Sequence, residues 1–532
     1  MNRIVLAVAL GAGLAWPAAA GALGAEPGPS TEPPAASEAL GAEAQAQAEA
    51  EAILQLEQAQ EALSAEEPEA ADPTVELRDL IVALPYLEGA DRRAARSLLA
   101  RPPQGDGAVE PFGGEWTVPE ASDSPVCQGE FCVHWVETSS DRPDLTDTTP
   151  SNGIPDYVDL VMQRMQDSYA VENTELGWPE PKSDGNAGQG PSGESSSGRT
   201  DVYLSEICES SCVFGYAGPD DSSAECNGAP FRCAAFLVLD NDYEEFGYED
   251  PDVPLSVTAA HEYNHILQFG IDAIQDTWMF ESTATWAEER VFPDANDWLV
   301  TYMDSWARNP TQSITKASAG GGLRIYGTAV WNHWLDEGAE YGPDVVLDSW
   351  QRSRQTNPKD FAVAAYDQGI ADNGGSGFSR EFARFAAATS EWQVNDDDFP
   401  DEEALPDVAR NGKLRPGRRA TTYRLDHAAY RLLRVKPGDA GKVRLRIRAP
   451  RGVRTGIALV GRDGPRLGGS ITTKLDYLSN GGRDSVSLAN VQSFERITAI
   501  VANADGRVSG FGGSDWRYRH DNELYRASLA RG

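Results

Sequence analysis

Ser256–Gly270 reads SVTAAHEYNHILQFG, and the rest of the chain is best approached from it. His261 and His265 are four residues apart, so on an α-helix both project from one face, one turn from each other. Glu262 sits between them. This is the HExxH spacing, in which two imidazoles can share a zinc ion and the acid can act as a base. Apolar residues flank the motif: Val257, Ala259 and Ala260 before it, Ile266, Leu267 and Phe269 after it. Such flanks suit a buried helix, and Gly270 stands where a left-handed C-cap would stop it.

A catalytic zinc takes three protein ligands and keeps one position open. After His265 the next histidines are His333, His427 and His520, too distant for a third-histidine motif, which leaves a carboxylate. The spacing predicts a second helix over Asp276–Phe292, DTWMFESTATWAEERVF. Glu281 and Glu288 share a face of it but lie about 10 Å apart along the axis, so only one can reach the metal. Glu281 is the expected ligand, because Trp278-x-x-Glu281 opens the small, apolar stretch that would pack on the first helix. Thr285 and Glu288 then become candidates to orient a ligand imidazole from behind.

HEYNHILQ, followed by WMFESTATWAEE and YGTAVWNHWL, is similar to the gluzincin group of zinc metallopeptidases, of which thermolysin is the best known. The order FCVHWV, NGIPDYVD, HEYNHILQ, WxxExTATWxE, YGxxxWxxWL resembles more closely a group of exported bacterial metalloproteases, over about residues 75–395. The resemblance implies an α+β fold with a thermolysin-like catalytic domain, a sheet above the zinc helix and an edge strand that pairs with substrate. AAFLVLD (234–240) is the expected edge strand. It implies Zn2+ on His261, His265 and Glu281, Glu262 as general base, and a protein or peptide substrate. Tyr326 is the expected oxyanion donor, with His333 on the same helical face as the alternative. The fifteen residues between His265 and Glu281 are fewer than in thermolysin, a departure from the family pattern.

At 532 residues the chain is too long for one core. Arg3, the apolar run Ile4–Trp16 and Ala18-Ala19-Ala20 read as an export signal, 1–25, and point to a secreted or cell-surface protein. Residues 26–72 hold twelve carboxylates and no Lys or Arg, and are expected to be a disordered or semi-helical acidic linker with almost no apolar face to bury. Residues 73–111 carry Leu and Ile at helical spacing on both sides of Pro85: a helical hairpin, serving as a prosegment or packing on the core. A metallopeptidase domain is expected over 112–404. Short β-runs separated by turns then predict an antiparallel β-sandwich over 405–532.

The charge is divided. From Arg410 onward there are 25 Lys and Arg against 10 Asp and Glu, an excess of 15 cations in a chain of formal charge −38, so the upstream part carries −53. Such a body argues against nucleic acid as partner. The basic end could dock on the acidic body or on an anionic cell-surface polymer. No later run of twenty apolar residues suggests a membrane span.

Six cysteines fall as near neighbours, Cys127/Cys132, Cys208/Cys212 and Cys226/Cys233, and in an exported protein favour disulfides; CxxC spacing, which a zinc cluster would want, is absent. Asp144, Asp147, Asn152 and Asp156 offer oxygen ligands that could hold Ca2+, although turn and cap chemistry explains the same residues. Two functions from different classes remain open. One is a zinc endopeptidase; the other is a surface-binding or adhesive protein in which the zinc fold is structural and the β-domain does the work.

Overall fold

The computed structural model describes residues 42–63, 73–102, 116 and 118–532, apart from 186, 194–197, 209–212, 221–230, 249, 317–321, 354–360, 395–398, 400–403 and 510–516. The expected export segment lies outside the described residues. The molecule mixes helix and sheet, with one five-stranded sheet in its first half and a multi-stranded sheet region at the C-terminal end.

The first sheet uses β1 (Val126–Gln128), β2 (Phe131–His134), β3 (Thr200–Ser205), β4 (Gly215–Pro219) and β5 (Ala235–Asp240), in the order β1-β2-β3-β5-β4. β2, β3 and β5 run parallel, while β1 and β4 are antiparallel to their neighbours. β3 and β5 are buried along their whole length, which is why their sequences read as continuous strand-forming runs. A disulfide, Cys127–Cys132, ties β1 to β2. Cys208 and Cys233 are disulfide-bonded as well, whereas Cys212 and Cys226 lie outside the described residues.

AAFLVLD does not form the edge. It is the interior strand β5, and the edge is β4, GYAGP. A Cβ on Gly215 would come 2.7 Å from Thr258 Cγ2, and one on Gly218 would come 2.4 Å from Phe236 Cζ. Glycine at these positions lets the strand lie close to its neighbours, and the same residues remove the β-signal from the sequence.

Against this sheet packs a helical layer. After α1 (Ala42–Ala62), α2 (Thr74–Ala83) and α3 (Gly89–Leu98) come α4 (Asp156–Tyr169), α5 (Asp252–Ile271) and α6 (Thr277–Val291). Next are α7 (Met303–Ala307), α8 (Val330–His333), α9 (Asp344–Arg352), α10 (Val363–Asp372) and α11 (Phe378–Ala388). α5 carries the HExxH motif between β4 and β5 on one side and α4 and α6 on the other, and from Pro254 onward it is buried almost without interruption. Only a helix enclosed on all sides tolerates so little polar surface. It runs on through Gly270 to Ile271, so it ends later than expected; Asp272, extended at φ −160°, ends it.

Two further expectations change. Residues 42–62 form a helix that is packed rather than solvated, because Ala52, Leu56, Ala59 and Leu63 line up at helical spacing and are buried against the core. The helix expected to carry Tyr326 and His333 on one face is divided into a 3₁₀ turn (Tyr326–Ala329), α8 and a π-helical segment (Trp334–Gly338).

The C-terminal strands are β6 (Arg410–Leu414), β7 (Thr421–Leu425), β8 (Ala429–Val435), β9 (Lys442–Ala449), β10 (Thr455–Asp463) and β11 (Ser470–Leu478). They continue with β12 (Gly482–Ala489), β13 (Arg496–Asn503), β14 (Val508–Ser509), β15 (Arg517–Tyr518) and β16 (Glu523–Arg531). One sheet runs β11-β10-β13-β8-β6 and the other β12-β9-β16-β7. They share a core of residues such as Leu433, Ile457, Val501, Leu445 and Leu529. The pairing is not wholly antiparallel as expected, since β6 lies parallel to β8.

Candidate metal centre

The centre is built by α5 and α6, two consecutive helices joined by a short turn. Asp276 caps α6 by accepting from the Trp278 N–H, which fixes where that helix starts and therefore which way Glu281 points. His261 Nε2 lies 3.5 Å from Glu281 Oε2, and His265 Nε2 lies 3.9 Å from the same oxygen. All three ligand atoms fall within 4.8 Å of one another, and all three residues are buried.

The residues fit a zinc ion on chemical grounds. Ligands at about 2.0–2.2 Å around a tetrahedral ion stand roughly 3.3 Å apart, somewhat beyond hydrogen-bond contact, as these do. Glu281 Oε2 is buried and accepts no hydrogen bond, a costly state for a carboxylate unless a cation is to satisfy it. Among the described residues, this is the one group of His, Cys, Asp and Glu close enough to hold a metal.

Partners behind the imidazoles set their tautomers. Glu288 Oε1 lies 2.6 Å from His261 Nδ1, and Gln268 Oε1 lies 2.8 Å from His265 Nδ1. With Nδ1 carrying the proton, each ring turns Nε2 toward the centre. Burial pushes the Glu288 carboxyl up to about 7, against the pull of His261. The chain of contacts continues behind His265: Gln268 donates to Asn264 Oδ1 at 2.5 Å, and Asn264 donates to Glu172 Oε2 at 2.7 Å. Glu172 is fully buried, and desolvation lifts it to about 8.

The other expected site residues divide. Glu262, buried beside the ligand pair, accepts a hydrogen bond from Thr74 Oγ1 at 3.3 Å. Tyr326 stands with its ring 5.9 Å from that of His261. His333 is elsewhere in its surroundings: it stacks on Trp298 at 4.3 Å, and burial drives it down to about 3, the behaviour of a neutral core histidine. Thr285 is buried but its hydroxyl bonds to neither imidazole.

The expected calcium ligands are engaged locally. Asp147 accepts from the N–H groups of Asn152 and Gly153, and Asp156 from those of Thr148 and Thr149. Asp144 accepts from Thr146, and Asn152 Oδ1 from the Ile154 N–H. These side chains cap a turn and the start of α4.

Gln268, Glu172, Tyr302 and Thr74 were not singled out by the sequence. Gln268 could have been, since it lies one turn beyond His265 on the same helix. Tyr302 packs its ring 5.0 Å from that of Tyr326, and Thr74 comes from a helix 188 residues before Glu262; neither leaves a local signal. Neither a scan against protein-family models nor a search of curated proteins finds a match to this chain.

Proposed function

We propose that the chain is a zinc-dependent endopeptidase of the gluzincin type, with a thermolysin-like catalytic core. The observation that carries this reading is the convergence of His261, His265 and Glu281 within 4.8 Å, one residue from a buried Glu262. A structural zinc site is usually closed by four protein ligands and has no need of a base, whereas three ligands beside an acid suit hydrolysis.

Zinc held there would supply Lewis-acid chemistry, lowering the pKa of water and polarising the substrate carbonyl. The protein's own residues do the rest. Glu262 takes the proton of the attacking water and returns it to the leaving amine. Glu288 and Gln268 keep His261 and His265 in the tautomer that ligates. Tyr326, alongside His261, donates to the oxyanion as it forms. β4, the antiparallel edge strand above α5, pairs with an extended peptide and sets its direction. The disulfides favour an exported enzyme, because such bonds are rare in reducing compartments.

The test is metal analysis together with hydrolysis. One zinc per chain is expected, lost in His261→Ala and Glu281→Ala. Glu262→Gln should keep its zinc and lose at least about 10²-fold in casein hydrolysis. A chain that holds zinc yet cleaves no peptide, whether intact or proteolytically matured, would instead fit a structural site.

A further inference from the structure

The ground in front of Glu262 is taken by the chain itself. Thr74, the first residue of α2, is buried, and its hydroxyl makes two bonds. It donates to Glu262 Oε2 at 3.3 Å and accepts from the Ala217 N–H at 2.8 Å. Ala217 belongs to β4, whose other edge is paired with β5, so this N–H faces outward from the sheet. One hydroxyl thus engages the acid assigned as general base and a donor of the strand assigned to substrate. A peptide entering the site needs both.

Two buried arginines hold this segment down. Arg78, one turn after Thr74, donates from Nη1 to the Gln275 carbonyl at 3.0 Å and from Nη2 to Thr277 Oγ1 at 3.3 Å. Its guanidinium lies 4.8 Å over the ring of Phe280, which stacks on His265. Arg101, just beyond α3, pairs with Asp184 at 2.6 Å, Asp220 at 2.8 Å and Asp201, and covers the Phe236 ring at 5.1 Å. Burying a guanidinium is unfavourable unless its donors are met, so both positions mark a made-to-fit seat. Leu77, Leu80, Ile81 and Leu84 fill the space between with apolar contact.

We propose that residues 73–102 are an inhibitory segment, seated in the substrate groove between β4 and α5, and that the full chain is latent until they are displaced. This rests on the metallopeptidase reading above. The segment is held by contacts that a substrate must break, so its grip sets the fraction of molecules open to substrate.

The experiment uses the zinc-loaded full chain as wild type, Thr74→Val, Arg78→Ala and the double variant. Thermal unfolding and zinc content establish that each is folded and loaded. Two quantities are read: affinity for a short peptide hydroxamate and kcat/KM on an internally quenched peptide. Losing a hydrogen bond to a charged partner shifts such an equilibrium by about tenfold or more. Each single variant should therefore bind the hydroxamate about tenfold more tightly and cleave correspondingly faster, with Thr74→Ser remaining latent. A synthetic peptide of residues 73–102 should compete with the hydroxamate on the double variant, and its Thr74→Val version should do so more weakly. If the double variant does not fold, Thr74→Val alone decides. Unchanged hydroxamate affinity in a folded, zinc-loaded variant overturns the inhibitory segment, and leaves the peptidase reading intact if wild type cleaves. Tighter hydroxamate binding without cleavage upholds the segment and counts against the peptidase.

Discussion

His261 and His265 turn the same ring nitrogen to the centre, and each is held by a different device. Glu288 reaches His261 from two turns along α6, while Gln268 reaches His265 from within α5. Removing either partner leaves an imidazole free to rotate, so Glu288→Ala or Gln268→Ala should weaken zinc binding about 10–100-fold. Competition with a chelator measures this, and affinities within twofold of wild type would mean that packing alone orients the rings. Glu172 makes a different point. Its carboxyl is lifted to about 8, above its unfolded value, because burial outweighs the bond from Asn264. The folded state therefore keeps a proton that the unfolded chain has released, and stability falls as pH rises from about 4.5 toward 8, at up to about 1.4 kcal/mol per pH unit. In metal-free protein Glu172→Gln should lose that slope in urea titrations; an unchanged slope would assign it to another group. Two of the candidate ligands were legible in the sequence because helical spacing alone puts His261 and His265 on one face, and the third, Glu281, because the next helix offers a carboxylate where no histidine follows. Thr74 was not, since nothing local to a residue 188 positions away announces a tertiary contact.

Elements that obey one periodicity were the readable ones. β5, α5 and α6 fall where their apolar patterns put them, although α5 begins at Asp252, ahead of the stretch that carries the motif. β4 was missed because its function as a close-packed edge requires glycine, the residue that weakens a strand signal. The helix expected from Tyr326 changes type along its length; Tyr326 packs on His261 and Tyr302 at one end, while Trp331 and Trp334 both pack on Phe385. α6 depends on a residue outside the helical layer. Tyr518 of β15 donates to Asp276 Oδ2 at 2.5 Å, and the Trp278 indole N–H donates back to the Tyr518 oxygen at 3.3 Å. Those two bonds fix the first turn of the helix that carries Glu281. Tyr518→Phe leaves the buried Asp276 oxygen short of a donor, which costs about 1–3 kcal/mol. Calorimetry should show the lower Tm, and zinc affinity should fall with it. A full loss of stability with unchanged zinc affinity would separate the cap from the ligand.

At the scale of the molecule, the basic end of the chain meets the acidic body through a sheet buried on both faces. In β8, β10 and β13, Leu433, Ile457 and Val501 face the other sheet, while Leu432, Ala458 and Ile500 belong to the core shared with the helices. That double burial explains why GIALVG and ITAIVAN read as apolar runs instead of alternating. It was not legible as an interface, because periodicity tells that a strand is enclosed and not by what. Charge is organised at the same boundary. Glu391, at the end of the helical layer, lies 3.1 Å from Arg410, 3.1 Å from Arg462 and 3.6 Å from Arg496. Its side chain is 3 % exposed, and those of Arg410 and Arg462 are 6 % and 9 % exposed. Glu391→Gln preserves shape but removes the buried anion that Arg410 and Arg462 share, leaving them only the half-exposed Asp407 at 3.5 Å and Glu495 at 3.6 Å, a change that costs about 3 kcal/mol. Asp407, which also touches Arg410 and Arg496 but is half exposed, provides the contrast: Asp407→Asn should cost about 1 kcal/mol or less. Added salt should erase the Asp407 effect and leave the Glu391 effect largely in place, because a buried pair is screened far less. Urea unfolding followed by tryptophan fluorescence and far-UV circular dichroism tests this. If the two sheets are part of one cooperative unit with the helices, both probes lose stability together in Glu391→Gln. If the probes separate into two transitions, or the two substitutions cost the same, the boundary is a loose contact between independently stable parts.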